Sequence, residues 1–386
     1  MKNVTDCIHI IFQHLHIFTL SHCWLYRTPL HILLIFKHDR PGMKPKKKEV
    51  TIYDIAAKLK ISVATVSRAL RDHPAVNART KKKIFEVAEA YGYQTNHFAR
   101  NLRQQKTGAI GLVVPHLNSY FMATVISGIE RVANQAGYNL LISQSSESPE
   151  REVEVVKTMF NNRVDGLLVS LAYATESLQH FERFSNKNIP VMFFDRVFES
   201  GAFTNLRIDN VKAGYDATKH LLESGCKNIL HVSVSGTQSI YRDRYNGYAM
   251  ALQEFGMPLK PENIFICDLT FDSGKAAAEY ALSLPKLPDG IFVANDNCAS
   301  GCLIALKQKG IRIPEDVAIV GFNNDPVCMI VEPNLSSIQY PGYEMGEMAA
   351  RNLINHLSGD ENLMLTQSIT LRSDLIARAS SQRQTG

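Results

Sequence analysis

Ile61-Ser62-Val63-Ala64-Thr65-Val66-Ser67-Arg68-Ala69-Leu70 decides how the N-terminal part of the chain is read. Ser62 is a residue type that caps helices, because its hydroxyl accepts from a backbone N–H of the first turn. Val66, Ala69 and Leu70 recur at helical spacing and give one apolar face. Thr65, Ser67 and Arg68 occupy the other face, with Arg71 just beyond. Upstream, Ile52, Ile55, Ala56 and Leu59 form a second amphipathic run. Two short helices with a tight connection make a helix-turn-helix, whose second helix is the one shaped to enter a DNA major groove. A third helix is expected over about Thr80–Tyr91, with Asn77 able to cap it and Ile84, Val87, Ala88 and Tyr91 as its stripe. Lys81, Lys82 and Lys83 near its start oppose the helix dipole, a penalty that a nearby phosphate backbone would relieve.

Charge follows the same division. From Lys44 to Lys106 there are fifteen Lys/Arg against five Asp/Glu, whereas the whole chain of 386 residues carries only +5. The part after Lys106 is therefore acidic. A basic module joined to an acidic body is the layout of a protein that binds a polyanion with one part only. The seven cysteines lie far apart, and none falls in a CxxC or Cys/His arrangement with metal spacing. Cys298 and Cys302 sit at i, i+4 but lack histidine partners, so buried thiols of a reducing cytoplasm are expected, with no metal and no cofactor. Residues 1–42 differ from the rest. They hold six of the thirteen histidines and the only tryptophan, Trp24, and they contain neither a clean apolar run of about 18–20 residues nor the parts of a signal peptide. Met43 is expected to be the true start, with 1–42 a non-native or disordered extension; a membrane tether is the alternative.

From Ala109 the texture becomes α/β. Buried-strand runs at 110–114, 140–143, 166–170, 190–195, 229–234, 264–268, 291–295 and 317–322 alternate with helix-length amphipathic stretches, among them 175–187 and 342–357. Strict alternation means parallel sheets covered on both faces. A junction near Asn205–Asn210 divides eight strands into two similar lobes, with the last helix and the strand Ser368–Leu371 following both. Ligands in such folds sit beyond the carboxyl ends of strands. The polar residues there are His116, Asn118, Asp195, Arg196, Ser235, Asn295, Asp296, Asn323, Asn324 and Asp325. Asp and Asn also follow strands simply because they make turns, so the set, more than any member, points to a site for a hydroxyl-rich ligand.

Several stretches together resemble the LacI/GalR family of bacterial repressors. In the head these are Thr51-Ile-Tyr-Asp-Ile-Ala, Ser62-Val-Ala-Thr-Val-Ser-Arg-Ala-Leu, Val76-Asn-Ala-Arg-Thr, Ala90-Tyr-Gly-Tyr-Gln-Thr-Asn and Ala99-Arg-Asn-Leu. In the body they are Thr107-Gly-Ala-Ile-Gly-Leu-Val-Val-Pro, Asn118-Ser-Tyr-Phe, Arg163-Val-Asp-Gly-Leu-Leu, Arg244-Tyr-Asn-Gly-Tyr, Ala294-Asn-Asp and Val320-Gly-Phe-Asn. The similarity runs in one order over about residues 50–380. It implies a helix-turn-helix domain at 43–93, a hinge helix and linker at 94–107, and a two-lobed, periplasmic-binding-protein-like core at 108–386. It also implies a homodimer on a near-palindromic operator and a small-molecule effector, by default a carbohydrate, between the lobes.

By position, the resemblance makes Val63, Ala64 and Arg68 the base-reading residues, with Arg68 able to bond guanine through two hydrogen bonds. Tyr53, Thr65 and Ser67 become phosphate contacts. Asn96, Ala99 and Leu102 fall on the hinge helix, with Leu102 the apolar wedge in the minor groove. Phe121, Asp195, Arg244, Asn295 and Asn323 become effector contacts. Two positions depart from the family. Asn323 stands where aspartate is usual, replacing an acceptor-only group by an amide. Lys60 stands where glycine is frequent in the turn, at a cost of about 1 kcal/mol if the backbone there is left-handed. A transport solute-binding protein would share the core but has no use for residues 50–106. An enzyme is not indicated: no GxSxG, phosphate loop, dinucleotide fingerprint or paired-carboxylate motif is evident. The expectation is an effector-controlled DNA-binding regulator, in which ligand closes the lobes and alters the fit of paired hinge helices to DNA.

Overall fold

The structure, a computed structural model, describes residues 50–70, 72–93, 106–198, 203–234 and 239–383. The proposed extension at 1–42, the hinge residues Asn96, Ala99 and Leu102, and Ser235 lie outside the described residues. The chain divides into two compact units, 1–95 and 96–386.

The described residues of the first unit form helices. Helix α1 (Ile52–Leu59) begins where the Asp54 carboxylate accepts from the Thr51 backbone N–H at 2.8 Å and from its hydroxyl at 2.6 Å. It ends at Lys60, which adopts φ 53° and ψ 42°. That left-handed conformation reverses the chain into α2 (Val63–Ala69), capped as expected by Ser62 Oγ accepting from Thr65 N–H at 3.1 Å. Helix α3 (Ala78–Ala90) starts directly after its cap Asn77, whose Oδ1 accepts from Thr80 N–H at 2.8 Å, so it begins two residues earlier than its apolar stripe suggested. Ile55, Val66, Ala69, Ile84 and Ala88 meet in a small core. Burying each of the larger aliphatic side chains contributes about 1.5–3 kcal/mol. Lys81 does not wait for a phosphate. It donates to the Asp72 carboxylate at 2.5 Å and to the Asp72 carbonyl at 3.0 Å, so the fold itself offsets part of the unfavourable charge at the start of α3.

The second unit is α/β. Its first run comprises β1 (Ala109–Val114), α4 (Tyr120–Gln135), β2 (Asn139–Gln144), α5 (Pro149–Asn161), β3 (Gly166–Val169), α6 (Glu182–Ser185), β4 (Val191–Phe194) and β5 (Thr204–Ile208). A second run comprises α7 (Asn210–Glu223), β6 (Ile229–Ser233), α8 (Ser239–Glu254), β7 (Ile264–Ile266), α9 (Phe271–Ser283), β8 (Gly290–Val293), α10 (Asp296–Gln308), β9 (Ala318–Asn323), α11 (Val327–Ile330) and β10 (Ser336–Gln339). Helix α12 (Gly342–Ser358), β11 (Ser368–Leu371) and β12 (Leu375–Ile376) complete it. The strands form two six-stranded sheets, ordered β11-β5-β4-β3-β1-β2 and β12-β10-β9-β8-β6-β7. Every pairing is parallel except β10 with β12.

Two lobes were expected, but not this connectivity. Helix α12 packs on α4, β3, β4 and β5 of the first lobe, and β11 pairs with β5 there, so neither element simply follows both lobes. The chain crosses between lobes three times: after β5, after β10, and between β11 and β12. Apolar runs report that a segment is a buried strand, not which strand lies beside it. The helix expected over 175–187 is only a 3-10 turn, Gln179–Phe181, running into the single turn α6. What reads as its apolar stripe is Phe181 and Phe184, buried by this short turn against the first lobe's core.

Candidate functional site

In the head, α2 presents Ala64 and Arg68 to solvent, and Tyr53 on α1 is 68% exposed. Val63 is half-buried and packs against the head's core, so its surface is partly spent inside the fold. Thr65 joins the cap, its hydroxyl 2.8 Å from that of Ser62, and Ser67 is half-buried. The outward face of α2 therefore carries one guanidinium and one methyl, with hydroxyls beside them.

The core brings the five residues singled out for effector contact, Phe121, Asp195, Arg244, Asn295 and Asn323, to one cleft of about 160 Å3 between the lobes. His116 and Asn118 line it as well. Phe121, in the first turn of α4, stacks on Tyr340 with ring centroids 4.2 Å apart. Asp195, with φ 59° at the end of β4, is buried. Its Oδ1 accepts from the Tyr340 hydroxyl at 2.7 Å and its Oδ2 from Ser170 Oγ at 3.0 Å. Asp195 thus organises the cleft, since both oxygens already serve protein donors.

Arg244 on α8 is 2% exposed. Its Nε donates to Asn210 Oδ1 and its Nη1 to the Ala294 carbonyl, each at 3.0 Å, and its guanidinium lies 3.5 Å from the Phe322 ring centroid. Close helix packing puts it there: a Cβ on Gly214 of α7 would overlap the Arg244 carbonyl oxygen. Burial pulls the guanidinium below its ordinary range, with Arg196 adding to the effect and Tyr241, Tyr340 and Asp195 opposing it. Asn295 also serves as a cap. Its Oδ1 accepts from Asn297 and Cys298 N–H at the start of α10. Asn323 has φ 115°, and its Nδ2 lies 3.5 Å from Asp325 Oδ2. Burial and the charge of Asp296 push the Asp325 carboxyl up to about 7.

Asp296 and Asn324 of the strand-end set are engaged within the protein instead. Asp296 is buried, accepting from Ser337 Oγ at 2.7 Å and Asp325 N–H at 2.8 Å, and Asn324 Oδ1 accepts from Arg378. Sequence reasoning missed Glu147, Tyr173, Tyr241 and Tyr340, all of which line the cleft. Glu147 grips Arg196 Nη1 with both oxygens at 2.7 and 2.8 Å, and Arg196 stacks 4.1 Å from the Tyr173 ring centroid. The Tyr173 and Tyr241 hydroxyls meet across the lobes at 3.4 Å. Among the described residues no group of three or more His, Cys, Asp or Glu is arranged to hold a metal, and no described helix is long and apolar enough to cross a membrane.

Residues 51–96 match the model of bacterial regulatory proteins of the lacI family, and residues 107–378 match periplasmic binding proteins and the sugar binding domain of the LacI family. The chain belongs to the LacI family. Catabolite control protein A of Priestia megaterium is 34% identical over 80% of this chain and 93% of its own length. The HTH-type transcriptional repressor CytR of Escherichia coli (strain K12) is 31% identical over 82% of this chain and 93% of its own. Among solved structures, a transcriptional regulator CelR-cellobiose complex superposes with a TM-score of 0.65 at 25% identity, over 86% of this chain and all of that one. The lac repressor dimer bound to operator and the anti-inducer ONPF superposes at 0.78 with 21% identity, over 87% of this chain and all of that one, a likeness of fold. This LacI-family member is accordingly a DNA-binding transcription regulator with a head that reads DNA and a core of the sugar-binding type.

Proposed function

We propose that this regulator is a non-enzymatic, cytoplasmic homodimer that represses from a near-palindromic operator and responds to a carbohydrate held in the cleft between its lobes. The observation that carries the reading is the convergence of Phe121, Asp195, Arg244, Asn295 and Asn323 on one interlobe cleft, in a chain whose head turns Arg68 and Ala64 outward. Arg68 reads guanine, Ala64 and the exposed part of Val63 offer apolar contact, and Tyr53, Thr65 and Ser67 position the head on phosphates. Residues 94–107 act as the hinge. Asn96 and Ala99 contact DNA there, and Leu102 wedges into the minor groove. In the core, Arg244 and Asn295 donate to ligand oxygens, Asn323 offers its amide, Phe121 stacks against the ring, and Asp195 holds Tyr340 in place.

Alternating open and closed cores change how two hinges fit one operator, a population shift driven by differential affinity. A thermal-shift screen of the purified chain against sugars and nucleobases tests the ligand class, because a bound ligand raises the melting temperature by mass action. Stabilisation by a carbohydrate that also alters operator affinity supports the reading; stabilisation only by nucleobases refutes it. Binding to random duplex DNA that falls steeply between 50 and 200 mM salt is expected of the head.

A further inference from the structure

We infer that Lys106 and Asp165 form a clamp that fixes where the linker enters the core, and that β3 and α12 connect this clamp to the two donors of Asp195 in the cleft. Both are positioning residues for operator binding. The inference goes beyond the carbohydrate reading and does not depend on which ligand fills the cleft.

The chain enters the core under two grips. The first is Asp165, half-buried just before β3. Its Oδ1 accepts from Thr107 N–H at 2.7 Å and from the Thr107 hydroxyl at 3.1 Å. Its Oδ2 accepts from Gly108 N–H at 2.7 Å, and the Thr107 hydroxyl also lies 2.8 Å from the Arg163 carbonyl oxygen. Gly108 has φ 67°, a left-handed turn that suits glycine and leads into β1. The second grip is Lys106, whose Nζ donates to the Leu357 carbonyl at 2.9 Å. Leu357 lies in the last turn of α12, where carbonyls have no partner further along the helix. The left-handed Gly359 takes the carbonyls of Asn355 and His356, and Lys106 takes the next one. A cation at this end of a helix is also favoured by the helix dipole.

The two elements that supply these grips have their other ends at the cleft. Ser170 follows β3 and donates to Asp195 Oδ2 at 3.0 Å. Tyr340 precedes α12 and donates to Asp195 Oδ1 at 2.7 Å. Helix α12 has 17 residues and so spans about 25 Å. It is locked to α4, which carries Phe121, by reciprocal glycines. A Cβ on Gly128 would overlap the Tyr343 carbonyl oxygen, and one on Gly346 would overlap the Val125 carbonyl oxygen. One carboxylate in the cleft is thus tied, through a strand and a helix, to both groups that hold the linker. Close-packed elements transmit a displacement of one end to the other. A change in the cleft that shifts Ser170 against Tyr340 therefore shifts Asp165 against the Leu357 carbonyl and re-aims the linker.

The test needs no effector, because coupling is reciprocal: what the cleft does to operator binding, the operator does to the cleft. Hydrogen exchange of the full chain is followed alone, with a saturating duplex that the protein has selected from a random library, and with a saturating random duplex. The selected duplex is expected to change exchange over 170–172 and 339–343 about threefold or more, and the random duplex to leave it nearly unchanged. Lys106→Met and Asp165→Asn should each remove most of that change at saturation. Each should also weaken binding of the selected duplex about threefold or more while random-duplex affinity stays within about twofold. Lys106→Arg keeps a donor and should behave as wild type. Lys106 is exposed, so Lys106→Met keeps the test decisive even where Asp165→Asn fails to fold by circular dichroism. Three results overturn the inference: exchange in both segments that ignores the selected duplex, a change that survives in Lys106→Met, or equal losses on both duplexes in Lys106→Met, which would make Lys106 a phosphate contact only.

Discussion

Tyr340→Phe is the sharpest probe of how the lobes are held together. Tyr340 follows β10 of the second lobe, and its hydroxyl donates at 2.7 Å to Asp195, which follows β4 of the first. Both residues are 5% exposed, so water does not replace a lost donor easily. A hydrogen bond to a charged group contributes about 1.5–3 kcal/mol net. Removing it while keeping the ring leaves the stack on Phe121 in place and takes only the interlobe bond. The loss divides between global stability and the preference for the closed arrangement. If all of it fell on closure, the closed-to-open ratio would drop about ten- to a hundredfold, and effector affinity would fall with the closed fraction. Ser170→Ala removes the other donor to Asp195, at 3.0 Å and within the first lobe, and serves as the control that weakens the site without touching the interlobe bond. Urea unfolding of the full chain reads the stability loss. Hydrogen exchange over 191–197 and 336–341 reads the opening and should rise in Tyr340→Phe more than in Ser170→Ala. Stability within about 0.5 kcal/mol of wild type and unchanged exchange in both segments would refute the reasoning.

Other expectations follow from the same geometry. Lys60→Gly should stabilise the head by about 1 kcal/mol, because φ 53° disfavours a side chain, read as a higher urea midpoint for the helical unit. Arg68→Ala should cost about 1–3 kcal/mol on a duplex selected for tight binding and far less on random DNA, measured by fluorescence anisotropy; equal losses on both would remove Arg68 from base reading. Asp325 has a folded-state carboxyl raised to about 7 from an ordinary 3.8. Between those values the native state holds a proton that the unfolded state has lost, so its contribution to stability falls as pH rises through that window and levels off above about 7. Asp325→Asn should therefore raise the melting temperature at pH 8 and change it little at pH 4; a larger gain at the acid end would contradict the sign.

The head was legible because its signals are local. Ser62 and Asn77 cap the helices that their spacing announces, and Lys60 falls at the one left-handed position in the turn between α1 and α2. Asp195, Asn295 and Asn323 were legible for a related reason, since each ends or follows a strand in a fold that gathers such positions, whereas Phe121 and Arg244 were legible only through the family resemblance. Their division of labour was not. Nothing at Asn295 or Asp195 in the sequence says that one also caps α10 and that the other is occupied by Tyr340 and Ser170. Tyr340 was invisible because its importance depends on β10 leading back to the first lobe, a crossover that apolar periodicity does not encode. Glu147 and Tyr173 were hidden likewise. They come from separate loops after β2 and β3 and matter only through Arg196.

The central claim is that occupancy of the cleft changes the affinity of the head for its operator. The direct measurement is operator affinity of the full chain, on a duplex selected by the protein itself from a random library, with and without the carbohydrate that the screen identifies. The account predicts a shift of at least about tenfold, a coupling of about 1.4 kcal/mol, and its loss in Arg244→Ala. A ligand that demonstrably fills the cleft while operator affinity stays the same would contradict it.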